Sequence, residues 1–219
     1  MLWTTTQQFL PYPFEKEIEL ETAIAEIQQD LFGNSRAYLK VKKLIGQAGK
    51  TQNIPDGYLL DFSSPKKPVL YIIEVELGKH DPLRHIAQQL LGFSLSFKSS
   101  PQKMKGILRN TVQNSAEIVA TCEQYAASNG FNNIDYLLEQ MIYPGDAFNA
   151  LVIIDDLEEE LESVEWSNLN SLGEPMKAKL VLIIPIRLLS RSFKNFRFSR
   201  RDWLQIPFAS LDTGDYANG

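Results

Sequence analysis

The most restrictive stretch of this chain is Val69-Leu70-Tyr71-Ile72-Ile73-Glu74-Val75-Glu76-Leu77, an apolar run with two carboxylates at alternate positions near its end. Its β-branched and aromatic residues predict a strand. Side chains alternate across a strand, so Glu74 and Glu76 share one face, opposite Ile73, Val75 and Leu77. Two acids on one side of a buried strand are costly unless a cation or a proton donor meets them. The run is therefore expected to border a site, with the rest of the chain supporting it.

A second strand is expected from Gly57 to Phe62, joined to the first through Ser63-Ser64-Pro65-Lys66-Lys67-Pro68, a hairpin signature. With the turn centred between Pro65 and Lys66, antiparallel pairing joins residues whose numbers sum to about 131. Asp56 then lies opposite Val75, between Glu74 and Glu76, at the open end of the hairpin. Asp61 falls near the turn and stays out of the cluster. Three ionised carboxylates at about 4 Å repel by roughly 4 kcal/mol per pair at an effective dielectric of about 20. Either protons or a divalent cation must neutralise them. The bland alternative is a surface strand whose acids are simply solvated. If a cation is present, hard oxygen ligands favour Mg²⁺ or Mn²⁺ over zinc. The single cysteine, Cys122, and the two histidines, His80 and His85, exclude a thiolate cluster and disfavour a multi-histidine site.

Around this hairpin the chain reads as α/β, with a mixed sheet flanked by helices. Leu20, Ile24, Ile27 and Leu31 give a helix over Glu15–Phe32, stopped at Gly33-Asn34. Ala37, Leu39 and Val41 alternate with Tyr38, Lys40 and Lys42, predicting a strand to about Ile45. Asp81-Pro82 opens a helix with Ile86, Leu90, Phe93 and Phe97 along one stripe, reaching about Lys98. On that helix His85 and Gln89 share a face, while Lys79 and His80 occupy the loop before it, at the same end as the acids. Pro101 and Gly106 argue against a long element over 99–115. Helices are expected at Ala116–Ser128 and Asn133–Ile142, and strands at Phe148–Ile154 and Ala178–Ile186, where Pro185 suggests an edge or a strand end. Leu157 to about Leu169 reads as an acidic helix with a solvated face, and Cys122 as a small core residue. The whole, 1–219, is expected to be one domain: a core at 15–98, a helical insertion at about 99–145, and C-terminal strands with a basic tail at about 146–219.

Hydrophobic residues make up 44% of the 219, enough to bury a core. No apolar run approaches a membrane span and the N-terminus does not read as a signal peptide, so a cytoplasmic protein without a membrane partner is expected. The net charge of −5 hides segregation: acids crowd 155–165, while 175–201 holds only bases, among them Arg187, Arg191, Lys194, Arg197, Arg200 and Arg201. The basic and aromatic tail could line a phosphate backbone or form a plain edge strand with one solvated face.

Pro55-Asp56 followed by Glu74-Val75-Glu76 resembles the PD-(D/E)xK nuclease superfamily. Its pattern is an acid after proline on one strand and an acid-x-lysine on the next. A glutamate on a preceding helix, here Glu21 or Glu17, and Gln89-xxx-Phe93, similar to a glutamine-xxx-tyrosine motif, extend the likeness across about Glu15–Lys98. The resemblance implies a restriction-endonuclease-like core and hydrolysis of DNA phosphodiesters with Mg²⁺ or Mn²⁺. It implies Asp56, Glu74 and Glu76 as metal ligands, and a catalytic set of those three with Gln89 and Glu21. Lys79, His85, Arg191, Lys194, Arg197, Arg200 and Arg201 are the expected nucleic-acid contacts, and homodimerisation is left open. The departure is Glu76, which stands where the superfamily carries lysine. A glutamate there can accept a proton from water or hold a second ion. Its presence leaves two readings: a working nuclease, or a nuclease-like module that binds DNA or protein without cutting.

Overall fold

The structure is a computed structural model and describes residues 2–3, 8–11, 13–49, 52–79, 82–143, 148–156, 170–171, 174–188 and 203–205. It is an α/β arrangement with a mixed sheet flanked by helices. The short strands β1 (Leu2–Trp3) and β2 (Gln8–Pro11) precede helix α1 (Glu17–Phe32). The Glu19 carboxylate accepts from the Glu15 and Lys16 N–H groups, satisfying donors that α1 leaves open at its start. Gly33, at φ 75°, ends it where L-residues are disfavoured. Leu20, Ile24, Ile27 and Leu31 are buried as their spacing requires, each contributing roughly 1.5–3 kcal/mol.

Strand β3 (Arg36–Leu39) follows, and here the expected strand to Ile45 is corrected. The chain leaves the sheet after Leu39, runs irregularly through residues 40–44, and makes a separate ribbon of β4 (Ile45–Gly46) and β5 (Gln52–Asn53). Strand propensity could not show this, because Val41 continues the alternation after pairing has ended.

Strands β6 (Gly57–Asp61) and β7 (Val69–Glu76) form the hairpin. Their pairs, such as Gly57 with Ile73 and Asp61 with Val69, show the expected register to be one residue off. The turn centres on Pro65, with Lys66 at φ 57°, so one step past the last pair Asp56 comes level with Glu74 rather than Val75. β7 then runs parallel to β8 (Phe148–Ile154), which runs parallel to the first half of β10 (Glu174–Leu188). β9 (Asn170–Ser171), β11 (Trp203–Gln205) and β2 also pair with β10, giving the order β1-β2-β10-β8-β7-β6-β3. β10 is longer than the expected 178–186, and Pro185 lies beyond its last pair with β8, Leu182 with Ile154, where its missing N–H breaks no bond to β8.

Between β7 and β8 come α2 (Pro82–Ser99), α3 (Pro101–Gln113), α4 (Ala116–Asn129) and α5 (Ile134–Ile142). The helix α3 corrects the expectation that Pro101 and Gly106 would prevent a long element. Pro101 sits in the first turn, where its missing N–H is harmless. The cost of Gly106, about 1 kcal/mol, is outweighed by burial of Met104, Ile107, Leu108 and Val112. Ser115 and Asn133 accept from Ile118 and Tyr136 N–H as N-caps, and Gly130 closes α4 in the left-handed region.

The sheet has a core on each face. Leu59, Tyr71, Ile73, Val75, Leu77, Leu151 and Ile153 pack with α1. Leu60, Leu70, Ile72, Ala150, Val152 and Ile154 pack with residues of α2 to α5. Buried residues of α3, α4 and α5 join those of α2 and the sheet in one cluster. Glu74 and Glu76 continue the row of Leu70 and Ile72, on the α2 side, as alternation requires. No helix among the described residues is long and apolar enough to cross a membrane.

Candidate functional site

The site forms at the C-terminal end of β7, beside the C-terminal end of the parallel strand β8, the end at which open α/β sheets commonly bind ligands. Gly78 ties the two ends together. Its N–H donates to Asp155 Oδ1 at 2.9 Å, and a Cβ at Gly78 would stand 2.7 Å from Asp156 Cβ.

Asp56 is fixed by the hairpin itself. Its N–H donates to Ile73 O at 3.1 Å, and its Oδ2 accepts from Val75 N–H at 2.8 Å. The carboxylate therefore extends the ladder by one bond after the strand has ended. Glu74 is 6% exposed, and its Oε2 has no hydrogen-bond partner. Burial, then the charges of Asp56, Glu76 and Glu17, push its carboxyl up to about 9, with Lys42 opposing them. The shift favours the protonated carboxyl. Glu76 is 4% exposed; its Oε1 accepts from Leu77 N–H at 3.2 Å, and its Oε2 lies 3.6 Å from His85 Nδ1. That separation is too long for a hydrogen bond and becomes an ion pair only when the imidazole is protonated.

Glu21, from α1, is 3% exposed and joins the group through a lysine. Lys42 Nζ donates to Glu21 Oε1 at 2.7 Å and stands 2.7 Å from Asp56 Oδ1. Lys40 Nζ lies 4.0 Å from Glu21 Oε2, an oxygen with no hydrogen-bond partner. Burial pulls the Lys42 ammonium down, but its bonds to Asp56 and Glu21 outweigh this and hold it above the ordinary lysine range. Tyr38 completes the surroundings. Its buried hydroxyl has no partner, and burial, with the charges of Glu21 and Asp56, raises its pKa and keeps it neutral.

The expected residues are thus only partly gathered. Asp56, Glu74, Glu76 and Glu21 surround one end of β7, with His85 at their α2 side. Gln89 is half-buried one turn beyond His85 on α2. Lys79 turns away from the acids: its Nζ donates to Phe14 O and Glu15 O at 3.2 and 2.9 Å, binding β7's end to the entry of α1. Asp61 stays at the turn end. Burial pushes its carboxyl up, but hydrogen bonds from Ser63 and the Arg36 guanidinium, 2.9 Å away, prevail and hold it below the usual carboxylate range. His80, Asp81, the acidic stretch 157–169 and Arg191, Lys194, Arg197, Arg200 and Arg201 lie outside the described residues.

Lys42, Lys40 and Tyr38 were not foreseen as site residues. The signal was the polar alternation Tyr38, Lys40, Lys42 ahead of the hairpin, which starts on β3 and continues into the irregular stretch 40–44. β3 pairs with β6 so that Leu39 meets Tyr58, two residues from Asp56, and the chain just past Leu39 brings Lys42 to the Asp56 carboxylate.

A divalent cation is tested by the donors present. Two buried carboxylate oxygens, Glu74 Oε2 and Glu21 Oε2, lack hydrogen-bond partners beside Asp56, an all-oxygen set suited to Mg²⁺ or Mn²⁺. Among the described residues, no three acidic, histidine or cysteine side chains are drawn close enough to hold an ion as they stand. The Lys42 ammonium occupies the space between Asp56 and Glu21.

No protein-family model, curated protein or solved structure matches the chain.

Proposed function

We propose that this chain is a metal-dependent nuclease with a restriction-endonuclease-like core, hydrolysing DNA phosphodiester bonds. One observation carries the reading: Glu74, buried and with Oε2 unpartnered, sits beside Asp56 at the end of a strand where burial alone would favour an apolar residue. A group kept in so costly a place needs a ligand to justify it.

Asp56, Glu74 and the Val75 carbonyl are the residues that would hold Mg²⁺ or Mn²⁺. Such an ion polarises a phosphate oxygen and lowers the pKa of bound water. The chain's own residues do the rest. Asp56 is held in place by Val75 N–H. Glu74 must release its proton before it can act as a ligand. Glu76 Oε2 accepts the proton of the attacking water, with His85 beside it to take up charge. Lys40 and Lys42, exposed and beside Glu21 and Asp56, suit a phosphate backbone.

The test is incubation of duplex and single-stranded DNA with the full chain and Mg²⁺ or Mn²⁺, beside Glu74→Ala. Cleavage by the native chain that falls at least a hundredfold in the variant supports the reading. Equal cleavage by both, or none on either substrate, ends it. A second reading, a non-cutting module that binds DNA, is favoured by one specific contact: Lys42 already neutralises Asp56 and Glu21. It predicts salt-dependent DNA binding without a divalent-cation requirement.

A further inference from the structure

Lys42 differs in kind from the acids it joins. Asp56 is locked by the hairpin ladder, and Glu21 is carried by a helix, with side chains 14% and 4% exposed. Lys42 comes from the irregular stretch 40–44, and its side chain is 44% exposed. Its ammonium makes short contacts to one oxygen of each acid, leaving a third N–H direction. The acids are therefore held by regular structure, while the lysine reaches them from outside it and from solvent.

A divalent cation that uses Asp56 meets the Lys42 ammonium at Oδ1, while Oδ2 already accepts from Val75 N–H and has one lone pair left. An ammonium and a divalent ion cannot share that position without strong repulsion. Once displaced, a lysine on a flexible four-carbon stem remains within reach of whatever the ion binds next. For a nucleic acid, that is a phosphate oxygen, for which lysine is a compact point-charge donor.

We propose that Lys42 and a divalent cation compete for Asp56, so that cation binding there releases the Lys42 ammonium from its contacts with Asp56 and Glu21 to a phosphate of the bound nucleic acid. The proposal rests on the nuclease reading and gives Lys42 the positive charge that Glu76 cannot supply. It also ties metal loading to substrate capture, since the same displacement serves both.

The test is calorimetric Mn²⁺ titration of the full chain as native, Lys42→Met and Lys42→Arg, with thermal melts as a check on folding. DNA affinity is then measured with and without Mn²⁺. Lys42→Met should bind Mn²⁺ at least tenfold tighter than the native chain. With Mn²⁺ present, it should bind DNA at least fivefold more weakly. Lys42→Arg, whose guanidinium can hold both carboxylates in fork geometry, should bind Mn²⁺ at least threefold more weakly. Mn²⁺ binding by Lys42→Met that is unchanged or weaker overturns the competition, while the native chain's own Mn²⁺ binding leaves the nuclease reading intact. No Mn²⁺ binding by any of the three chains removes that reading, and the competition with it. Should Lys42→Met fail to melt cooperatively, the Lys42→Arg arm decides: affinity equal to or above native overturns the proposal.

Discussion

Asp56 Oδ2 accepts a hydrogen bond from Val75 N–H at 2.8 Å, so a side chain takes over the sheet ladder where the backbone of its strand can no longer reach. This one bond does two things. It satisfies a buried donor on β7, and it turns the Asp56 carboxylate towards Glu74, whose pKa it helps to raise.

Substitution of Asp56 should separate the two roles. Asparagine keeps an oxygen for Val75 N–H, so Asp56→Asn should lose only the ion pair to Lys42. Asp56→Ala strands that donor and should cost about 1–3 kcal/mol. Both variants should lose Mn²⁺ affinity and cleavage. Urea unfolding at pH 7 beside Mn²⁺ titration checks this, and equal stability of the two variants would show that the bond does not hold the strand end.

Glu74 sets a second expectation, on pH. Burial, with the charges of Asp56, Glu76 and Glu17, pushes its folded carboxyl up to about 9, from about 4.5 for an ordinary glutamate. Between those values the folded state keeps a proton that the unfolded chain has lost. Stability should therefore fall as pH rises through this window and level off above it, with a slope of at most about 1.4 kcal/mol per pH unit. Glu74→Gln cannot titrate, so its advantage over the native chain should grow from pH 5 to pH 9. Thermal melts across that range decide the matter: parallel pH profiles would mean that Glu74 is ionised in the folded protein. The same proton makes Mn²⁺ binding tighten with rising pH, since the ion must displace it.

The hairpin was legible because its signals are local. A six-residue turn between two apolar runs fixes the pairing to within one residue, and alternation places both acids on one face. The helices α1, α2, α4 and α5 were legible from stripe spacing and end signals. Lys42 was not, because Asp56 and the strand before it are joined by a long polar connection with no tight turn to fix their register. Helix α3 was missed through reading Pro101 as a breaker when it stands where proline starts a helix. The contacts of Lys79 Nζ with the Phe14 and Glu15 carbonyls were not legible either, because they join the end of β7 to a segment more than sixty residues earlier.

Gly57 offers a test of how tightly the wall of the site is built. A Cβ there would stand 2.9 Å from Tyr38 Cε2 and 3.0 Å from the Leu39 carbonyl oxygen. The backbone oxygen cannot retreat as a flexible side-chain tip could, and the buried ring has little room. Gly57→Ala should cost about 1–3 kcal/mol and shift the Tyr38 hydroxyl relative to Glu21 and Asp56. A double-mutant cycle with Tyr38→Ala isolates the contact. Additive losses would show that the ring is not what excludes a side chain at this position.

Glu76 carries the last expectation, because the proposed reaction gives it the proton of the attacking water. The carboxylate is buried, with Oε1 committed to Leu77 N–H and Oε2 towards His85. If Oε2 takes the proton of the attacking water, Glu76→Gln removes the acceptor while keeping shape and the bond from Leu77 N–H. Single-turnover cleavage should then fall by about 10²–10⁴, while melting at pH 7 changes little. Glu74 should titrate lower in this variant, because one of the charges raising its pKa is gone. His85→Ala should cost less than tenfold, since the imidazole lies 3.6 Å from Oε2 and is not a hydrogen-bonded partner. Cleavage by Glu76→Gln within threefold of native would take Glu76 out of proton transfer and leave it the simpler work of closing the end of β7.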